Sequence, residues 1–129
     1  FKSFRKSPEI IGCQPVNSAV MHRSIQAGTI LDIPSEPTIA DGSAGGIEPG
    51  SITFQICRDY VDDFILVSEK EIRQAIRFIL MKHFMLIEGA AALPVAALLK
   101  ERQRFYGQNV VLVLSGCRLD PEILRKILS

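Results

Sequence analysis

The sequence predicts an α/β chain: a three-layer arrangement with a parallel sheet and helices on both of its faces. Three observations carry this. The apolar run Asn109-Val110-Val111-Leu112-Val113-Leu114 is unbroken until Ser115-Gly116, as expected of a strand covered above and below. A second short run, Phe64-Ile65-Leu66-Val67, has the same character. Around both, apolar residues recur at helical spacing. Strands alternating with helices imply parallel pairing through right-handed crossovers. In open α/β sheets ligands gather beyond the carboxyl ends of the strands, so Ser115 is the first candidate site residue.

The elements follow in order β-α-loop-α-β-α-α-β-α. Residues 9–14 form a short apolar stretch stopped by Pro15 and read as a strand. Asn17 is positioned to cap a helix with Val20, Met21 and Ile25 on one face and Gly28 as its stop. Residues 29–50 show neither period and hold three prolines and four glycines, the composition of a long functional or irregular loop. Ser51 is placed to cap a helix whose stripe is Ile52, Ile56, Tyr60 and Val61. Asp62-Asp63 break it, and the strand at 64–67 follows. Ser68-Glu69-Lys70-Glu71 has the spacing of a capping box. It opens a helix with Ile72, Ile76, Ile79 and Leu80 inward and Arg73, Gln74 and Arg77 outward. The next helix spans 88–101; its start, Gly89-Ala90-Ala91-Ala92, is small enough for close packing, and Pro94 is tolerated near the first turn or bends it. After the strand that ends at Ser115, Pro121 opens a last helix.

Bulk properties narrow the function classes. A chain of 129 residues is one domain by default and buries roughly 68% of its unfolded surface. A net charge of +1 gives no electrostatic case for nucleic acid or an anionic membrane. Lys2, Arg5 and Lys6 read as a solvated helix end. No apolar run reaches the roughly 18 residues of a membrane helix, and no signal-peptide pattern is present. The first residue is Phe, so the chain is expected to begin inside a longer polypeptide. Three cysteines, Cys13, Cys57 and Cys117, without a C-x-x-C pair point to free thiols in a reducing, cytoplasmic compartment.

Few residues are placed for chemistry. Residues 40–46, Ala-Asp-Gly-Ser-Ala-Gly-Gly, could approach an anion with backbone N–H groups or form a plain surface loop; they match no Walker or dinucleotide pattern. Glu88 follows Met85-Leu86-Ile87 at a helix start, where it reads as a cap or as a carboxylate in a partly apolar cleft. Asp62 and Asp63, adjacent at a helix end, read as a turn and not as a paired-carboxylate site. His22 and His83 lack partners at metal-ligand spacing, and no hydrolase triad can be assembled.

Five motifs stand in register: Thr38-Ile39-Ala40-Asp41-Gly42, Arg58-Asp59-Tyr60-Val61-Asp62-Asp63, Val67-Ser68-Glu69-Lys70-Glu71-Ile72, Ile87-Glu88-Gly89-Ala90 and Val113-Leu114-Ser115-Gly116. Together they resemble the C-terminal part of the threonine/serine dehydratases and serine racemases, pyridoxal-phosphate enzymes of fold type II, the tryptophan-synthase-β type. The resemblance covers nearly the whole chain. It implies that residues 1–129 are the C-terminal portion of a cofactor-binding large domain. The family's Schiff-base lysine, substrate-carboxylate loop and glycine-rich phosphate cradle precede the region that resembles Phe1. None of Lys2, Lys6, Lys70, Lys82, Lys100 or Lys126 lies in a family lysine motif.

By the same resemblance, pyridoxal 5'-phosphate is the cofactor, and Ser115, Gly116, Glu88 and Gly42 are its contacts. Ser115 meets the pyridine nitrogen, Glu88 lies beside the ring and Gly42 lies at its edge. No catalytic residue is implied in this stretch, which alone is expected to be inactive. The parent is expected to be a cytoplasmic, homo-oligomeric lyase that converts L-threonine or L-serine to a 2-oxo acid and ammonia. The alternatives are an amino-acid racemase, a hydroxyectoine-type dehydratase or a non-catalytic remnant of the fold. Two departures stand out. The family's S-G-G-N reads Ser115-Gly116-Cys117-Arg118, which puts a thiol and a guanidinium near the ring. The positions of the family's cation-binding Glu and Asp hold Gln14 and Val20, so no metal is expected there.

Overall fold

A computed structural model describes residues 8–129; the reading of Lys2, Arg5 and Lys6 as a helix end lies outside the described residues. The two strands β1 (Ile11–Pro15) and β2 (Asp63–Val67) pair in parallel, with Ile11 opposite Asp63 and Pro15 opposite Val67. Side chains alternate across them. Ile65 and Val67 enter the main core with α3 (Glu69–His83), α4 (Gly89–Lys100) and α5 (Pro121–Leu128), and Ile11 and Cys13 pack against it. On the other face Phe64 meets the ring of His22 from α1 (Val20–Ala27), with centroids 5.5 Å apart. Helices therefore cover both faces, as the sequence predicts. Gly12 permits this layer, because a Cβ there would lie 2.4 Å from the Phe64 ring.

Local chemistry explains most boundaries. The Ser68 hydroxyl accepts from Glu71 N–H while the Glu71 carboxylate accepts from Ser68 N–H, the reciprocal box that starts α3. The buried stripe of α3 is Ile72, Ala75, Ile76 and Ile79, which seats on α4. Gly28 (φ 73°) closes α1 in the left-handed region, and Asp120 caps α5 before Pro121 at its first turn. Phe84 closes α3 at φ 56°, the lone non-glycine residue in the left-handed region among the described residues. Pro94 lies inside α4, which continues past it; the lost donor is the one Ala90 C=O would otherwise receive.

Five expectations are corrected. Asn17 does not cap α1. Residues Val16–Ser18 form a 3₁₀ turn, α1 starts after Ala19, and the Asn17 amide donates to Pro37 C=O at 2.6 Å. The inner face of α1 is Val20 and Ser24, with Met21 and Ile25 only half-buried. Ser51 precedes α2 (Ile52–Tyr60) but pairs its hydroxyl with Thr53 instead of capping. The stripe of α2 does not face inward: Ile52, Ile56 and Tyr60 are exposed and Phe54 is the buried residue, and the main partner of α2 is α1.

The fifth correction concerns the run at 109–114, which joins no ladder and is not covered on both faces. Leu112 and Leu114 pack against the core, while Val111 and Val113 are 88% and 74% exposed. A strand is buried on two faces only when flanked and covered. Here a cleft separates the run from β1.

Residues 29–50 are irregular, as expected, but held by polar ties. Glu36 N–H donates to Asn17 C=O, Gly45 N–H to the Ser18 hydroxyl, and Leu31 N–H to the Ser24 hydroxyl. Ser18 and Ser24 are buried for this purpose. At the amino ends of the strands, Arg104 bridges Glu9 at 2.6 Å and Asp63 at 2.7 Å, and reaches Glu101 at 3.4 Å. The guanidinium, helped by Phe64 N–H, holds the Asp63 carboxyl below its usual range. Among the described residues no helix is long and apolar enough to cross a membrane.

Two outcomes test this packing. A Cβ at position 89 would lie 2.0 Å from the carbonyl oxygen of Ile39, a backbone atom. Gly89→Ala is therefore expected to lower stability by about 1–3 kcal/mol in urea unfolding. Burial, reinforced by the Glu101 carboxylate, pushes the Cys13 thiol up to about 11 from 9.0. A raised thiol favours the folded state at low pH, and that advantage is lost as pH rises from about 9 through about 11. Cys13→Ala should flatten this alkaline limb in stability measured against pH.

Candidate functional site at the carboxyl end of the sheet

The site is built on the start of α4. Glu88 stands at the N-cap position but makes no side-chain cap, so the capping reading is set aside. Its N–H donates to Gly116 C=O at 3.2 Å, and its carboxylate accepts from Arg118 N–H at 3.2 Å. A Cβ on Gly116 would lie 2.4 Å from that carboxylate. Position 116 is thus glycine because the Glu88 head group occupies the space a side chain would fill. On the other side, the Cβ direction of Gly42 points at Ala90 and at Glu88 Oε1, 3.6 Å away. Glu88 therefore lies between the Gly42 turn and the Ser115-Gly116 end of the apolar run. Three of the four residues named from the sequence meet directly, and Ser115, exposed, adjoins them in the chain.

The Gly42 turn is held by a residue that the sequence reading missed. Glu69, in the first turn of α3, accepts from the Thr38 hydroxyl and from Ile39 N–H at 2.9 Å. Thr38 in turn accepts from Ala40 N–H at 3.1 Å. Gly89 lets the start of α4 rest against the Ile39 carbonyl. The signal was within Ser68-Glu69-Lys70-Glu71, where Glu71 closes the capping box and Glu69 is left for a distant partner. Burial pushes the Glu71 carboxyl up. The Ser68 N–H and hydroxyl together with Lys100 outweigh it, so the group lies below its ordinary value.

The anion-cradle reading of residues 40–46 is corrected. Gly42 N–H donates to Asp41 Oδ1, Ser43 N–H to Ala40 C=O, Ala44 N–H to Asp41 C=O and Gly45 N–H to the Ser18 hydroxyl. These donors are spent on the loop's own shape. Asp62 accepts from Ile10 N–H and Asp63 engages Arg104, so the pair belongs to the strand entry and not to a carboxylate site. The positions of the implied cation ligands are structural here. Gln14 accepts from His22 N–H at 2.8 Å, and Val20 is buried. Among the described residues no group of three or more His, Cys, Asp or Glu converges as a metal site.

This arrangement fits a flat aromatic ring bearing a nitrogen. It offers an exposed neutral hydroxyl at the end of the apolar run, a carboxylate held by Arg118 N–H, and the Gly42 turn beside that carboxylate.

Comparison with known proteins agrees with that chemistry. Residues 1–116 match the family described as pyridoxal-phosphate dependent enzyme. The L-threonine ammonia-lyase of Geobacter sulfurreducens is 40% identical over 120 residues, covering 93% of this chain and 30% of that protein. The processed form of threonine deaminase isoform 2 from Solanum lycopersicum superposes with a TM-score of 0.88 at 28% identity, over 99% of this chain and 36% of that one. The serine racemase of Dictyostelium discoideum gives 0.79 at 30% identity, over 92% and 38%. The chain thus spans about a third of the length of these relatives, and its α/β architecture is the fold type II arrangement that the resemblance implies. With nine-tenths of its length inside the family match, the chain belongs to the pyridoxal-phosphate-dependent enzymes.

Proposed function

We propose that this chain is the C-terminal portion of the cofactor-binding large domain of a cytoplasmic L-threonine/L-serine ammonia-lyase. One observation carries the reading: the Glu88 carboxylate is clasped between Gly42 and Gly116, beside Ser115, at the carboxyl end of the apolar run. The threonine ammonia-lyase and threonine deaminase relatives support the choice of substrate class.

Pyridoxal phosphate, when bound, supplies an electron sink for negative charge at the α-carbon of an amino acid. Ser115 holds the ring nitrogen through a neutral hydroxyl. Such a partner, unlike a carboxylate, does not keep that nitrogen protonated, so the sink is moderate and suits loss of a β-hydroxyl over a long-lived carbanion. Glu88 acts beside the ring as a hydrogen-bond acceptor whose position is set by Arg118 N–H and Gly116. Gly42 keeps the ring edge clear. Cys117 and Arg118 are exposed, and Arg118 contributes its backbone to the site. The lysine and the phosphate contacts come from polypeptide outside residues 1–129. The substrate is a small hydroxy amino acid and the products are a 2-oxo acid and ammonia. The whole enzyme is a homo-oligomer.

The full-length protein is expected to release 2-oxo acid from L-threonine and L-serine, and the 129-residue chain alone is not. Racemisation without oxo-acid release would reassign the parent as a racemase. Cofactor bound with no turnover of either kind would leave the lyase reading without support. In the full-length protein, Ser115→Ala should weaken cofactor affinity by about tenfold, the scale of one lost hydrogen bond to a buried polar partner. Cys117→Gly should change it less. Equal effects in a cofactor titration would remove the role given to Ser115.

A further inference from the structure

We propose that the Gln14 side chain takes the place of a divalent cation, tying the carboxyl end of β1 to the turn and helix that follow with an amide instead of a metal. The family resemblance implies a cation held by carboxylates at positions 14 and 20, and the residues found there do not fit one. A divalent cation of the magnesium type takes charged or carbonyl oxygens. The Gln14 carbonyl oxygen is engaged, accepting from His22 N–H at 2.8 Å. The amide nitrogen donates to Ser18 C=O at 3.5 Å, so Gln14 turns a donor and not a lone pair toward that oxygen. Val20 is hydrocarbon and 2% exposed.

The two bonds form a link. α1 has no side-chain cap of its own, and His22 is its third residue, whose N–H has no partner inside the helix. Gln14 supplies the missing acceptor from the preceding strand. Its other bond reaches Ser18, the last residue of the 3₁₀ turn Val16–Ser18. That turn holds both flanks of the segment that carries Gly42. Before Gly42, Asn17 C=O accepts from Glu36 N–H, the Asn17 amide donates to Pro37 C=O, and the Ser18 and Ser35 hydroxyls pair at 2.7 Å. After it, the Ser18 hydroxyl accepts from Gly45 N–H. One amide at a strand end thus anchors the loop on both sides of Gly42.

The chemistry of position 14 separates an amide from a carboxylate. Glutamine carries a donor group and an acceptor group side by side, and one orientation alone pairs both with His22 N–H and Ser18 C=O. A glutamate there would keep the bond to His22 N–H but aim its second oxygen at the Ser18 carbonyl oxygen. Two acceptors so placed need a cation between them. The link made by Gln14 is neutral and complete within the chain. The stability of the protein, and the hold of the Gly42 turn on the cofactor, are therefore indifferent to magnesium and to chelators.

The test follows thermal unfolding of the full-length protein in EDTA and in rising magnesium chloride, with pyridoxal-phosphate affinity measured in both media. Unfolding midpoints do not involve the cofactor reading, whereas the affinity rests on it. The unsubstituted protein is expected to show the same midpoint and the same affinity in both. Gln14→Glu is expected to lower the midpoint in EDTA by about 2–4 °C. Combined with Val20→Asp, it is expected to regain stability saturably as magnesium is added. Gln14→Ala is expected to lower the midpoint with no recovery. A saturable rise of the unsubstituted protein's midpoint or affinity with magnesium would overturn the proposal. So would a Gln14→Glu midpoint equal to the unsubstituted one in EDTA, or a double variant that magnesium does not stabilise. Should the double variant fail to fold, Gln14→Glu alone is titrated and must recover more than Gln14→Ala does; equal responses count against the proposal. Absence of cofactor binding in every medium would remove the cofactor reading and leave the unfolding midpoints to decide the role of Gln14.

Discussion

The start of α4 lies directly against the backbone of residues 38–40. Gly89 has no side chain, so the helix terminus rests on the Ile39 carbonyl, and Glu69 holds that same stretch from the other side by accepting from Thr38 and Ile39. Everything in the site depends on this contact. Glu88 is one residue before Gly89, Gly42 is two residues past Ala40, and Gly116 is held by Glu88 N–H. A shift of the helix start by the width of a methyl group would move the carboxylate away from both glycines. The site is precise because its members hang from a helix terminus and from a run whose Leu112 and Leu114 pack on the core, and not from the long loop alone.

Much of this was legible in the sequence where a short-range rule decides the outcome. The Ser68–Glu71 box, the Gly28 stop and Pro121 after Asp120 are local devices, and each is found where its spacing puts it. The resemblance names Glu88, Gly42 and Gly116, and the packing adds the physical reason for one of the glycines: at position 116 the Glu88 carboxylate needs the space. The failures share another cause. Whether the stripe of α2 or the run at 109–114 is buried depends on what lies against it, and periodicity reports only that a face is apolar. The ties of Asn17 to Pro37, Ser18 to Gly45 and Glu69 to Thr38 join residues 20 to 31 positions apart, beyond the reach of any local pattern.

The polar groups divide between two tasks. At the carboxyl end of the sheet, Glu88 and Glu69 accept mainly from backbone N–H groups, which sets position without introducing a mobile countercharge. At the amino end, Arg104 gathers three carboxylates from three parts of the chain, Glu9, Asp63 and Glu101. The planar guanidinium suits this, since its donors diverge in one plane and can serve several acceptors at once.

That division makes the two ends of the molecule respond differently to their medium. Ion pairs with exposed partners weaken as dissolved electrolyte shortens the range of charge interactions, to about 8 Å near physiological strength and about 3 Å at 1 M. Backbone donors on a carboxylate beside a packed helix terminus are screened far less. Concentrated salt should therefore loosen the Arg104 clasp while leaving the Glu88 end in register. The protein would fray first at the end remote from Glu88.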